Sequence, residues 1–374
     1  MKPRHLLHAL LFLVTLVTTT LAGAEWRLGK SYFFDQHGFT WAGSLSWEEI
    51  LQGLPFSLAF LGVLTVHEFG HYFTARYYKV RVTLPYYIPM WLGFTSSIGT
   101  MGAFIRIKER IFSRKEFFDI GIAGPFAGFA VALPLLWYGF THLPPPEYIY
   151  QIHPEYQLLG SRYAEFVYQG NGDLSLGRNL LFWIFEQLVA DPALLPNRYE
   201  IIHYPYLFAG FLALFFTALN LLPIGQLDGG HILYGMMGYE RFNRLSPMLF
   251  TLFIFYAGLG LIPLDTDLLE YWWLWGGYAL YLLIVFKPMF PEVRRSVLIA
   301  AGVFSAQIAV QLWWPGVTGY HGWLVFGLVL ARAMGIFHPH CPDERPLSKG
   351  RIFMGWLALL VFVLCFSPQP FVID

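Results

Sequence analysis

The stretch from Val63 to Arg76, VLTVHEFGHYFTAR, decides the fold of this chain. The residues just before the first histidine, LPFSLAFLGVLTV (54–66), are as apolar as the interior of a lipid bilayer. The next five residues nevertheless contain His67, Glu68 and His71. Ionisable side chains inside a membrane are costly unless they have partners, so three of them on about one helical turn indicate a functional site.

The composition of the chain is that of an integral membrane protein. Of its 374 residues, 56% are hydrophobic and 13% are charged, whereas soluble domains contain about 25% charged residues. Its two cysteines are too few for a disulfide framework. The net charge is zero, and we expect the lipid bilayer and no nucleic acid as a partner.

Hydropathy windows of about 19 residues predict an all-α polytopic membrane protein, a helical bundle of about nine transmembrane spans. The spans are expected near residues 6–24, 52–77, 117–140, 205–224, 247–263, 270–287, 295–314, 320–337 and 352–367. The first could instead be a cleaved signal peptide, because a charged start precedes its apolar run. We expect a retained span, since its small and Thr residues also serve helix packing in membranes.

The distribution of basic residues predicts the orientation. With a cytoplasmic N-terminus, 19 of the 24 Lys and Arg residues lie in cytoplasmic segments and five on the opposite side. Basic residues are concentrated in cytoplasmic loops of membrane proteins. The chain is therefore expected to be a multi-pass protein of a bacterial inner membrane or an organelle membrane, with its N-terminus in the cytoplasm.

The spacing of the opening motif predicts a zinc site. His67 and His71 are four residues apart, so a helix places them on one face, about 5.4 Å apart along its axis. Both imidazoles can then reach one zinc ion at about 2.0–2.1 Å. Glu68 lies beside them, where it can take a proton from a zinc-bound water and return it to the leaving amine. The pattern predicts one zinc per chain, with a chance match as the alternative.

A third protein ligand is needed, because two histidines and a water leave zinc one protein ligand short. The segment TALNLLPIGQLDGGHIL (217–233) offers Asp228, at the same predicted membrane face as HEFGH. Pro223 and the glycines that follow it predict a broken helix, which is tolerated at membrane depth where it lines a watery cavity. Asn220 could bind substrate backbone or fix the geometry. Asp228 could instead be a helix cap or a turn residue at the interface.

Other metal-binding candidates are weaker. Glu109 and Glu116 lie among basic residues, which favours a solvated charged loop. His231 could support the site from outside or face solvent. The sequence HPHC (338–341) contains metal-binding residue types, but its prolines and the DER that follows predict an exposed loop.

The motifs HEFGH and NLLPIGQLDGG together resemble those of the site-2 protease family of intramembrane zinc metalloproteases. In that family the two histidines and the aspartate of the LDG motif bind zinc, and the glutamate is the catalytic base. The matching positions in this sequence are His67, His71, Asp228 and Glu68. The Asn and Pro that precede LDG in the family match Asn220 and Pro223.

Two further segments carry the resemblance, which covers about residues 50–240. AGPFAGF (123–129) is similar to the GPxxG segment of the family, and Gly124 and Gly128 form a small-xxx-small pair that permits close helix packing. GAFIRI (102–107) is typical of a short strand. The resemblance implies a short membrane-associated β element between spans 2 and 3.

By analogy with the family, this β element would hold an unwound substrate along a strand edge. Phe104 and Ile105 are the positions that we expect at that edge. Some family members carry an inserted soluble sensing domain, which this sequence lacks.

These features imply an intramembrane zinc metalloendopeptidase that acts on a transmembrane protein substrate. We expect three parts: a first span with its outer loop (1–50), a metalloprotease core (51–240) and C-terminal spans (241–374). Two other functions are open, a zinc-containing membrane scaffold or chaperone that binds helices without cutting them, and a metal transporter. The transporter is less favoured, because its polar groups would be expected along a whole path rather than at one depth.

Overall fold

The computed structural model describes residues 3–35, 38–94, 97–168, 172–264 and 271–373. Within these residues the chain is mostly helical and has three small two-stranded sheets. It divides into two compact units. The first unit comprises residues 1–111, 123–219 and 360–374, and the second comprises residues 112–122 and 220–359.

The α-helices differ widely in length, from single turns to segments that could cross a membrane. Those up to residue 221 are α1 (Pro3–Leu28), α2 (Trp47–Leu51), α3 (Leu54–Tyr77), α4 (Arg114–Thr141), α5 (Ile149–Ile152), α6 (Tyr163–Val167), α7 (Leu180–Leu188) and α8 (Pro205–Leu221). Those that follow are α9 (Asp228–Met237), α10 (Tyr239–Ala257), α11 (Trp272–Phe286), α12 (Val293–Trp313), α13 (Gly322–Val329) and α14 (Lys349–Cys365). Short 3₁₀ turns include Ile201–His203, and a π-helical turn, Leu330–Met334, follows α13.

The strands form three antiparallel pairs. These are β1 (Phe34–Asp35) with β2 (Gly38–Phe39), β3 (Tyr86–Met90) with β4 (Gly99–Phe104), and β5 (Leu174–Leu176) with β6 (Phe371–Ile373).

In the described part of the chain, four helical segments are long and apolar enough to cross a membrane. They are His5–Leu28, Trp47–Tyr77, Arg114–Thr141 and Val293–Trp313. The apolar helices Pro205–Leu221 and Gly322–Met334 are shorter, and α11 has only 15 residues, whereas a span needs about 20. A hydropathy window measures composition and does not detect where a helix ends. The described residues therefore support a mostly helical membrane protein, and the count of nine spans is not confirmed.

In the first unit, α1 and α3 pack against each other through small side chains. The Oγ1 atom of Thr19 and the Oγ atom of Ser57 form a 2.5 Å hydrogen bond, and both side chains are fully buried. At Gly53, just before α3, an added Cβ would lie 1.9 Å from the carbonyl oxygen of Thr20. Small residues let membrane helices approach closely, and their buried hydroxyls can bond across the interface.

The β3–β4 hairpin packs against α1 in the same unit. The hydroxyl of Thr18 donates a hydrogen bond to the carbonyl oxygen of Gly99 (2.7 Å). Gly99 has a φ of 81° and leaves no room for a side chain, since a Cβ there would lie 2.4 Å from the Cα atom of Thr19. The hairpin is thus held to the first helix, on the sequence between α3 and α4.

The predicted strand at residues 102–107 is displaced. Strand β4 ends at Phe104, so Ile105 lies beyond it. Past the strand an isolated bridge joins Val82 and Ile107, and the N–H of Arg106 donates to the Oγ1 atom of Thr83 (2.9 Å). The prediction was wrong by about three residues, because β4 begins at Gly99, and a glycine that fits closely against α1 adds nothing to an alternating strand pattern.

In the second unit, two arginines fix the first turns of α4. The Nε atom of Arg114 donates to the carbonyl oxygen of Gly235 (2.6 Å). The guanidinium of Arg351 donates to both carboxylate oxygens of Asp119, at 2.8 Å each. Bidentate pairs of this kind fix orientation as well as distance, so the first turns of α4, up to residue 122, are held to α9 and α14 within this unit.

We expect Gly53→Ala to destabilise the chain by about 1–3 kcal/mol, the usual cost of overpacking. The atom that a methyl group would meet is a backbone carbonyl oxygen, which cannot move aside cheaply. Thermal unfolding in detergent, followed by circular dichroism, would measure the change. Gly62→Ala is the matched control on α3, because no described atom lies within 4 Å of a Cβ there. Equal melting temperatures for the two variants would contradict the close approach of α1.

Candidate active site

The ionisable residues of HEFGH lie together on the buried side of α3. His67 and Glu68 are each 5% exposed, and His71 is 7% exposed. Helix α3 is continuous through them, as the spacing predicted. It begins just after Gly53 with Pro55 in its first turn, where the missing N–H of proline removes no helical hydrogen bond.

The two imidazoles point at each other. Their Nε2 atoms are 3.1 Å apart, and the Nε2 atom of His67 lies 4.0 Å from the Oε1 atom of Glu68. Two ligands of one tetrahedral zinc, each bonded at about 2.0–2.1 Å, are about 3.3 Å apart. The histidine pair therefore fits a zinc ion, and the carboxylate lies beside the pair.

The GPFAG glycines of α4 contact these histidines within the first unit. A Cβ at Gly124 would lie 2.1 Å from the Nε2 atom of His71. A Cβ at Gly128 would lie 3.1 Å from the Cβ atom of His67. The sequence predicted that this small-xxx-small pair permits close helix packing and that Gly124 supports the site. In the structure the pair makes the space that the two imidazoles occupy.

Gly70, the glycine inside HEFGH, also lies at the close contact between α3 and α4. A Cβ at Gly70 would lie 2.5 Å from the carbonyl oxygen of Ala123. The backbones of α3 and α4 thus come together beside the histidines. Sequence reasoning missed Gly70, although a glycine in the middle of an apolar helix is itself a signal of close backbone approach.

The segment that contains Asp228 belongs to the second unit and is broken, as predicted. Helix α8 ends at Leu221 and α9 begins at Asp228. Between them Gly225 has a φ of 60°, and its N–H donates to the Oγ atom of Ser246 (2.8 Å). A Cβ at Gly229 would lie 2.0 Å from the carbonyl oxygen of Leu221. Asn220 is half-buried at the end of α8, and Pro223 lies in the break.

Asp228 occupies the first position of α9 and is half-buried. The N-cap position belongs to Leu227, so Asp228 is not the N-cap residue, which was one of the two roles in the alternative interpretation. The start of α4 packs on this turn: a Cβ at Gly121 would lie 3.3 Å from the carbonyl oxygen of Asp228 and 2.8 Å from the Cβ atom of His231.

The two proposed substrate-contact residues differ in position. Phe104 is 47% exposed and pairs with Tyr86 in the β3–β4 hairpin. Ile105 is partly buried and follows the strand. Since this sheet has only two strands in the described part of the chain, β4 has one edge that no other strand pairs.

The weaker metal candidates have other surroundings. Glu109 forms an ion pair with Arg81, as expected for a charged loop. The prediction of an exposed loop at residues 338–341 is wrong for His338 (2% exposed) and Cys341 (fully buried). His338 stacks on Tyr234, with ring centroids 3.7 Å apart. The prolines predict a turn in the backbone. They do not reveal that Tyr234 of α9, which is distant in sequence, packs over this turn and buries it.

Comparison with known proteins gives a family match and several relatives. The model of peptidase family M50 matches residues 55–262. Probable zinc metalloprotease EGY2, chloroplastic, from Oryza sativa subsp. indica is 30% identical over 60% of this chain and 36% of its own length. Probable zinc metalloprotease EGY1, chloroplastic, is 30% identical in Arabidopsis thaliana (50% of this chain, 30% of the relative) and in Oryza sativa subsp. japonica (70% and 41%). The chain thus spans less than half the length of these relatives, and no solved structure matches it.

We expect Gly124→Ala to lower the zinc content of the purified chain well below that of the wild type. The added methyl group would occupy the position of the His71 Nε2 atom and turn the imidazole away from its partner. Elemental analysis after dialysis against a weak chelator would measure the loss, with Gly62→Ala as the matched helical control. Zinc retained in full by Gly124→Ala would contradict the assigned role of this glycine.

Proposed function

The chain belongs to peptidase family M50, the site-2 protease family, and on this premise we propose that it is an intramembrane zinc endopeptidase. It hydrolyses a peptide bond within or near a transmembrane segment of another membrane protein. The observation that carries the proposal is the buried pair of imidazole nitrogens 3.1 Å apart, with the carboxylate of Glu68 beside them. Ionisable groups at membrane depth are retained where they have a function.

We propose His67, His71 and Asp228 as the residues that hold the zinc ion. When bound, zinc would supply a Lewis acid that polarises the peptide carbonyl and acidifies a water molecule. Two histidines with one carboxylate are a known ligand set of catalytic zinc sites, which leave one position open. The names of the relatives, probable zinc metalloproteases, agree with this assignment.

The assignment of Asp228 is supported by the break in the helix before it. Helix α8 ends at Leu221, and Asp228 is the first residue of α9. A broken helix at the third ligand also agrees with the rule that irregular backbone at membrane depth lines a cavity.

In the proposed reaction Glu68 moves the proton. Its carboxylate accepts a proton from the attacking water as the oxygen bonds to the carbonyl carbon. The same carboxyl group then donates the proton to the peptide nitrogen as the C–N bond breaks, which regenerates the carboxylate. The nearly complete burial of Glu68 keeps bulk water from competing for that proton.

The substrate segment must unwind locally, because the carbonyl groups of a helix are hydrogen-bonded within it. We propose that the unpaired edge of β4 holds the opened chain by strand addition, with Phe104 beside it and Ile105 just after it. Asn220 would bond the substrate backbone, and Pro223 would keep the helix broken before Asp228. Gly124 supports the reaction by making room for His71.

The proposed environment is a bacterial inner membrane or an organelle membrane, and the relatives named as chloroplastic fit an organelle membrane. The bias of basic residues supports a cytoplasmic N-terminus and a site near the cytoplasmic face. In this proposal the metalloprotease core (51–240) lies between a first part (1–50) and C-terminal spans (241–374).

We expect Glu68→Gln to lower cleavage by about 10²–10⁴-fold, the usual contribution of a general acid–base residue, with unchanged zinc content. The assay uses a single-span membrane reporter that carries a Gly-Pro pair at the cytoplasmic end of its span, reconstituted in vesicles. Glu109→Gln is the matched control, because Glu109 lies in a charged loop. Equal cleavage by Glu68→Gln and wild type would contradict the role of Glu68. If the wild-type protein holds zinc and binds the reporter but does not cleave it, the result would favour the alternative function, a membrane scaffold or chaperone that binds helices without cutting them.

We expect Phe104→Asp and Ile105→Pro each to lower cleavage of the same reporter by about tenfold to a hundredfold, the scale of lost substrate positioning. Their zinc content should equal that of the wild type, because neither residue is a proposed ligand. Ile88→Asp on β3, the partner strand of β4, is the control, because it adds the same charge to the hairpin away from β4. Unchanged cleavage in both edge variants would contradict strand addition.

A further inference from the structure

Three metal-binding side chains meet in the first unit at a second place. His153 lies between α5 and the 3₁₀ turn that follows it. Glu200 immediately precedes the 3₁₀ turn before α8, and His203 is the last residue of that turn. Each offers one ligand atom, and these atoms all lie within 4.8 Å of one another. None of the three is among the residues proposed for catalysis.

The distances between these atoms suit a metal ion. The Nε2 atoms of His153 and His203 are 3.4 Å apart. The Nε2 atom of His203 is also 3.4 Å from the Oε2 atom of Glu200. Ligands of one tetrahedral zinc are separated by about 3.3 Å when each bond is about 2.0–2.1 Å long.

The outer nitrogen of each histidine has a contact that leaves the inner nitrogen available. The Nδ1 atom of His203 lies 2.7 Å from the carbonyl oxygen of Trp26 and can only donate to it, so Nε2 carries a lone pair in the neutral ring. The Nδ1 atom of His153 lies 3.4 Å from the carboxylate of Glu155. Metal-binding histidines usually bond a carbonyl or a carboxylate through their second nitrogen in this way.

Glu200 is the most telling member of the group, with an exposed fraction of 1%. Its Oε1 atom accepts a hydrogen bond from the hydroxyl of Tyr168. Its Oε2 atom has no hydrogen-bond donor within the described residues, and the 3.4 Å contact to His203 lacks hydrogen-bond geometry. A buried oxygen without a donor costs about 1–3 kcal/mol, more for a charged group, and a cation between the three side chains would remove that cost.

Without a cation nearby, burial disfavours the charged forms of Glu200 and His203. It raises the pKa of the Glu200 carboxyl to about 8, with the charge of Glu155 adding to the rise. It lowers the pKa of His203 to about 4, with His153 lowering it further.

We propose that His153, Glu200 and His203 bind a divalent cation of the zinc class, at a site separate from the one on α3. Two histidines and one carboxylate are a donor set that suits zinc. Through Trp26 the site joins the turn before α8 to the last turn of α1. Its role is structural in this proposal, since it ties the segment between α4 and α8 to the first helix.

The test measures zinc bound by the full-length chain in detergent after equilibration with zinc chloride and removal of loosely bound ions. A His67→Ala/His71→Ala background removes the ligands on α3 and should still bind one zinc per chain. Adding His153→Gln should reduce this to about none. His142→Gln is the control, because His142 is exposed and belongs to the same inter-helix segment.

Each outcome shows whether the site of His153, Glu200 and His203 exists, independently of the proposed function. In the wild-type chain, His153→Gln should remove one zinc equivalent, whereas His142→Gln removes none. If His153→Gln and His142→Gln bind equal amounts in both backgrounds, the site does not exist, whatever the fate of the zinc on α3. Glu200→Gln is a second test of the site. Glutamine keeps the shape of Glu200 but lacks its carboxylate, so zinc binding should weaken at least tenfold.

Discussion

The Nε2 atoms of His67 and His71 lie 3.1 Å apart on the buried side of the apolar helix α3. The packing around this pair follows from the need to keep the two imidazoles in place. Such a pair, with a carboxylate beside it, is unfavourable in hydrocarbon unless a proton or a cation is shared. The chain meets this requirement by bringing α4 close to α3 at Gly70 and Gly124. A residue with a side chain at either position would separate the helices or displace the histidine.

The same requirement explains the irregular parts of the fold. A reaction that consumes water needs polar access within a membrane, and broken helices are tolerated only where they line such a cavity. The chain departs from regular helix between Leu221 and Asp228, where glycines allow tight turns. The β3–β4 hairpin is held to α1, and β4 has one edge that no other described strand pairs, where we propose that the substrate is held. Both irregular segments are parts of the proposed chemistry.

The sequence predicted what depends on local spacing. The i, i+4 histidines predicted one helical face, and Pro223 with the following glycines predicted the break before Asp228, both of which the structure contains. It could not reveal that Gly124 makes room for an imidazole, because that needs the identity of the neighbouring helix. The position of β4 and the burial of His338 were missed for the same reason. His153 and Glu200 are 47 residues apart, and no short motif joins them.

We propose that His67, His71 and Asp228 bind one zinc ion, and the zinc content of Asp228→Ala tests this ligand set. The measurement belongs in a His153→Gln background, so that only one site contributes, and zinc-edge X-ray absorption gives the ligands of what remains bound. We expect one zinc with two imidazoles and one protein carboxylate in the parent chain, and a large loss of zinc in Asp228→Ala. Full zinc content with unchanged ligands in Asp228→Ala would show that the third ligand lies elsewhere and would contradict the account.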